Sequence, residues 1–187
     1  TTLDLAVVFG NQDLVSFLMD KGKDSFKTSH AANRALNFAL LTNNQEMALH
    51  LYNQYSDRID FQAFKNIDVH LGNNLLSSSI FNYLEQPNTN SLKLLNDISS
   101  KFTSGELTRQ ERIVLKIESI SLNDKTTLLD NLTKLKNLAT VALNNNLDKE
   151  IHRTIGNKFI NSSLYRKFVL NAEELKQIQE IIQLYNI

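Results

Sequence analysis

The sequence contains no cysteine. Disulfides, thiolate metal ligands and cysteine nucleophiles are therefore excluded from these 187 residues. There is one proline and there are five glycines, against average usages of about 5% and about 7%. An all-β sandwich or barrel needs a turn roughly every 8–12 residues, and turns draw on those two residue types. Neither sign of charge is in excess: 20 Lys+Arg face 20 Asp+Glu. The basic footprint of a nucleic-acid binder is thus missing. No apolar run approaches the roughly 18 residues of a membrane-spanning helix. Hydrophobic residues make up 42% and charged residues 21%, the balance of a folded chain rather than a disordered one. The opening Thr1-Thr2-Leu3-Asp4-Leu5-Ala6 has no initiator methionine, basic leader or cleavage pattern. The chain is expected to begin inside a longer protein.

What is present is an internal repeat. Residues 2–22 align without gaps on residues 35–55, at an offset of 33. Leu3 falls on Leu36, Leu5 on Phe38, Ala6 on Ala39 and Val7 on Leu40. Asn11-Gln12-Asp13 falls on Asn44-Gln45-Glu46, Leu14 on Met47, Phe17 on His50 and Leu18 on Leu51. Each copy reads as a helical hairpin. Leu3, Ala6 and Val7 form one apolar stripe at i, i+3, i+4; Gly10-Asn11 is a turn; Leu14, Phe17 and Leu18 form the second stripe. Gly22 fits a C-cap, where positive φ is least costly. A third copy is looser. Asn74 to Phe81 matches the first helix and Ser91 to Leu95 the second, with six residues inserted around Pro87, which marks a loop.

The period and the opening residues resemble the ankyrin repeat. That family opens its first helix with T-P-L-H-x-A; here Thr1-Thr2-Leu3-Asp4-Leu5-Ala6 stands in its place, with Thr2 for proline and Asp4 for histidine. The resemblance implies divergent repeats at about 1–33, 34–66 and 67–102. It also implies that the two residues before each inter-helix turn face a concave binding surface. Those residues are Val8 and Phe9, Leu41 and Thr42, and Ile80 and Phe81, taking Gly10, Asn43 and Asn82 as equivalent. Five of the six are apolar, so an exposed stripe would mark an interaction site, unless the C-terminal helices cover it. Asp4 and Asn37 are expected at its rim.

After Phe102 the pattern stops, and Thr103-Ser104-Gly105 is a plausible break. Residues 103–187 are expected to form a helical extension, either a cap docked on the repeats or a bundle of its own. Thr108-Arg109-Gln110-Glu111 has capping-box form. Asn123-Asp124 is expected to cap a long helix from Lys125 to Asn144, striped by Leu128, Leu132, Leu135, Leu138 and Ala142. A further helix is expected from Asp148 to about Ile160, and another after Asn171-Ala172-Glu173-Glu174, a second capping-box spacing. The fold class is all-α: an ankyrin-like helical-hairpin solenoid followed by a C-terminal helical cap or bundle.

Chemistry is sparse. His30, His50, His70 and His152 stand in no HExxH or similar spacing, which gives a metal site no support. No phosphate-cradling glycine loop and no G-x-S-x-G elbow occurs. The run Ser77-Ser78-Ser79 falls where small residues pack in a repeat helix. Lys134, Lys136, Arg153, Lys158, Arg166 and Lys167 bias the second half toward basic, a solvated face or a contact for anionic lipid or an acidic partner. No catalytic residue, metal ligand or cofactor is assigned. The expected function is a protein–protein interaction module, with a recruiting or scaffold part of a larger enzyme as the alternative. No nucleic-acid partner and no transmembrane segment are expected. The Asn-rich composition, with 23 Asn, together with divergent repeats, resembles effectors that intracellular bacteria deliver into host cells. The chain is expected to be soluble, and cytoplasmic or, if it is such an effector, secreted into a host cell.

Overall fold

The computed structural model describes residues 1–61, 74–102 and 106–185. Among them every regular element is helical and no strand occurs. Two compact units divide the chain: Thr1–Thr103 with Leu107–Arg109, and Ser104–Glu106 with Gln110–Ile187. The expected break at Thr103-Ser104-Gly105 lies outside the described residues. So do residues 62–73, which hold His70 and the expected junction of the second and third repeats.

Among the described residues the first unit holds six α-helices: α1 (Thr2–Val8), α2 (Gln12–Lys21), α3 (Ser29–Leu41), α4 (Gln45–Tyr55), α5 (Leu75–Glu85) and α6 (Thr89–Ser100). They pair as α1 with α2, α3 with α4 and α5 with α6, while α3 also packs on α1 and on α5. The apolar stripes meet in one core that includes Leu3, Val7, Val15, Leu36, Leu40, Leu51, Leu94 and Ile98, all but closed to solvent. Met19 and Met47 lie in the same core with no exposure.

The first two hairpins share one turn, bond for bond. Phe9 N–H, Gly10 N–H and Asn11 N–H donate to the carbonyls of Leu5, Val7 and Ala6. Thr42, Asn43 and Asn44 donate to those of Phe38, Leu40 and Ala39. Such a reversal needs one residue at positive φ, which Gly10 (72°) and Asn43 (56°) supply. The next asparagine then caps the second helix. The Asn11 side chain accepts from Leu14 N–H, and Asn44 from Met47 N–H, each contact contributing about 1 kcal/mol. Gly22 does end α2, but with φ −73°, in extended backbone. Glycine is required there because a Cβ would collide with the Leu18 carbonyl, not because φ is positive.

The second unit holds α7 (Gln110–Ser119), α8 (Leu128–Asn144), α9 (Lys149–Ile160), α10 (Leu164–Lys167) and α11 (Ala172–Tyr185). α8 packs on α9 and α11, and α7 on α9. The stripe from Leu128 to Ala142 is fully buried. The α8–α9 connection reuses the turn of the hairpins: Asn146 takes φ 49°, and Leu147 N–H donates to the Ala142 carbonyl.

Two caps differ from expectation. Thr108 does not cap α7: its hydroxyl accepts from Asn74 N–H at 2.7 Å and its carbonyl accepts from Ser77 Oγ at 2.6 Å. The polar start of α5 captures it. The long helix starts at Leu128 rather than Lys125, because Asp124 Oδ1 accepts from both Thr126 N–H and Thr126 Oγ1 and holds a turn there. The Asn171 box forms as expected. Asn171 Oδ1 accepts from Glu174 N–H, and Glu174 Oε1 accepts from Asn171 N–H, each at 2.9 Å.

Candidate functional site

The expected binding residues separate into two groups. Val8 and Phe9 end α1; Leu41 and Thr42 end α3 at the equivalent step of the shared turn. Phe9 and Thr42 are the C-caps, and the Thr42 hydroxyl donates back to the Phe38 carbonyl at 2.7 Å. Phe9 is 80% exposed and Val8 44%; Thr42 is exposed and Leu41 half-buried. α1 and α3 pack together, so these four residues lie at corresponding ends of neighbouring helices.

Ile80 and Phe81 do not join them. They are 0% and 8% exposed, in the interior of α5. The assumed equivalence of Asn82 with Gly10 and Asn43 fails, because α5 continues to Glu85 and turns only at Gln86-Pro87-Asn88. Most of the inserted residues therefore lengthen the helix instead of looping out. Asn82 makes no turn of its own. Its amide donates to the Leu40 carbonyl and to Asn43 Oδ1, each at 3.3 Å, clamping the turn of the preceding hairpin.

Asp4 and Asn37 are not rim residues either, with exposures of 6% and 1%. At equivalent repeat positions, each reaches forward to the next hairpin. Asp4 accepts from Arg34 Nε at 3.0 Å, and Asn37 Oδ1 accepts from Ser78 Oγ at 2.7 Å. Burial would raise the Asp4 carboxyl. The hydrogen bonds it takes at the start of α1 and the Arg34 guanidinium outweigh it and hold the carboxyl below its ordinary range. The serine run is occupied structurally: Ser77 on the Thr108 carbonyl, Ser78 on Asn37 and Ser79 on the Leu76 carbonyl. None is poised as a nucleophile.

His50 hydrogen-bonds Ser16 across α4 and α2 at 2.8 Å. His152 packs edge-on to Tyr185, whose hydroxyl is pushed up to about 12 by burial. Among the described residues no cluster of His, Asp or Glu suits a metal ion, and no helix is long and apolar enough to cross a membrane.

Three of the six basic residues converge. Arg153, Lys158 and Lys167 line an open cavity of about 530 Å³ between α7 and α9, together with Glu118, Glu150 and Asn157. Lys158 Nζ donates to the Glu118 carbonyl at 2.6 Å and Lys167 Nζ to Asn123 Oδ1 at 2.8 Å. Lys136 instead pairs with Glu180 at 3.3 Å. Lys134 is half-buried, and that burial lowers its ammonium, with Asp130 opposing. The bias is thus not one continuous cationic face. Comparison of the chain with protein-family models, with curated proteins and with solved structures finds no match.

Proposed function

We propose that this chain is a protein-interaction module: divergent ankyrin-like hairpin repeats followed by a helical extension, binding a partner protein along the turn-side edge of the first two hairpins. The observation that carries the reading is the exposure of Phe9, at 80%, beside Val8 at 44% and in line with Leu41 and Thr42 on the neighbouring helix. A large aromatic held by a rigid turn loses little entropy on binding and is the kind of anchor that dominates interface energies. The offset of 33 residues, the twice-used turn and the forward bonds of Asp4 and Asn37 support the repeat reading. On its composition, the same reading sets the module within an effector delivered by an intracellular bacterium.

The test is an affinity capture with the native chain and with a Val8→Asp/Phe9→Asp variant of unchanged melting temperature. The expected result is a protein retained by the native chain and lost by the variant, with the binary complex then rebuilt from purified components. Equal capture by both chains would remove this edge as the binding site.

A further inference from the structure

The side of α1 and α2 that faces away from α3 and α4 is apolar where a closed end would be polar. Leu5 is 58% exposed, Leu14 37% and Phe17 56%. Their counterparts one repeat later are Phe38, Met47 and His50, and those three are covered. Met47 has no exposure, and Phe38 and His50 are half-buried.

The preceding hairpin reaches this side of the second one. Arg34 lies over the Phe38 ring at 5.2 Å and bonds Asp4 on α1, so that side of α3 meets α1. His50 bonds Ser16 on α2. The contact between the two hairpins therefore runs through His50 directly and beside Phe38 by way of Arg34, the counterparts of the open Phe17 and Leu5. Within the chain the hairpin that reaches this side is the earlier one. Stacked repeats that end an array carry a polar outer face, and Leu5, Leu14 and Phe17 are the reverse of that.

We infer that this face is the seat of one further helical hairpin of the same repeat pattern, stacked ahead of α1 as α1 and α2 stack on α3 and α4. Its contact stripe would match the buried stripe of Leu3, Val7, Val15 and Met19 in the first hairpin. A second copy of this chain offers no such stripe, because its own is already buried.

The experiment joins a duplicate of residues 1–33 ahead of Thr1 in the full chain, which keeps the 33-residue offset. A rise of several degrees in melting temperature is expected, with slower amide exchange in α1 and α2. Leu14→Asp/Phe17→Asp in the receiving hairpin is expected to cancel both gains. In the unduplicated chain the same pair should leave the melting temperature nearly unchanged, since both side chains are exposed there. Unchanged stability on duplication, or a gain that survives the double substitution, would overturn the inference. So would a dimer of the unduplicated chain, seen by sedimentation, that Leu14→Asp/Phe17→Asp dissociates.

Discussion

Ile80→Asp is expected to abolish cooperative unfolding of the three-hairpin unit, whereas Phe9→Asp leaves its midpoint nearly unchanged. Ile80 has no exposure and Phe9 has 80%. Truncating a buried isoleucine to alanine already costs about 2–5 kcal/mol. A carboxyl adds the cost of an uncompensated buried charge, or of keeping it protonated at neutral pH. A loss above about 4 kcal/mol is a large share of the roughly 5–15 kcal/mol that holds a domain together. At position 9 the substituted side chain remains in water, so the change should stay within about 0.5 kcal/mol. Urea titrations followed by circular dichroism separate the two. A stable, cooperative Ile80→Asp protein would show that α5 is not where the structure places it. Phe81, 8% exposed, belongs with Ile80 in this respect, so a binding test that substitutes it would confuse unfolding with lost affinity.

Lys125→Met is expected to cost about 1–3 kcal/mol at pH 7 and to bring acid unfolding of the second unit to a higher pH. Glu174 is 1% exposed. Burial by itself raises its carboxyl; the Asn171 N–H and the Lys125 ammonium outweigh burial and hold it below the ordinary carboxylate range. A carboxyl lowered on folding stabilises the protein at pH above its unfolded value, and that contribution fades as pH falls through the lowered folded value. Removing the ammonium takes away one lowering influence, so protonation starts sooner on the way down. Glu174→Gln isolates the charge. Glutamine can still complete the capping box with Asn171, but it does not titrate. Its urea midpoint should therefore fall less between pH 7 and pH 3 than that of the native chain. Equal falls in both proteins would show that this pair contributes nothing to acid sensitivity.

Local patterns in the sequence reached the structure where the signal was short-range. Period-3.6 stripes mark the helices, and Asn11, Asn44, Asp148 and Asn171 cap the helices they precede. Gapless self-similarity located the twice-used turn, because one positive φ and one side-chain acceptor need fixed residue types at fixed places. The third hairpin was out of reach for the complementary reason. Six inserted residues can lengthen a helix or a loop, and only the partners of Asn82 decide between the two. Thr108 carries the spacing of a cap, but a bond to Asn74, 34 positions away, takes its hydroxyl. For the proposed binding edge, the resemblance named six residues; Val8, Phe9, Leu41 and Thr42 lie at the shared turn, while Ile80 and Phe81 rest on an alignment that fails at Asn82. The cavity of Arg153, Lys158 and Lys167 had only a partial signal: α9 places Glu150, Arg153, Asn157 and Lys158 on one polar face, but the opposite wall comes from α7.

The two methionines of the chain, Met19 and Met47, both sit in the core of the first unit without exposure. Peroxide can reach a thioether only when the groups around it part, and each sulfoxide adds an oxygen that a mass spectrometer counts. The second unit has no methionine to contribute. The protein thus carries an intrinsic clock: the rate of oxygen uptake under peroxide reads how often the first two hairpins open, with no dye, label or engineered residue.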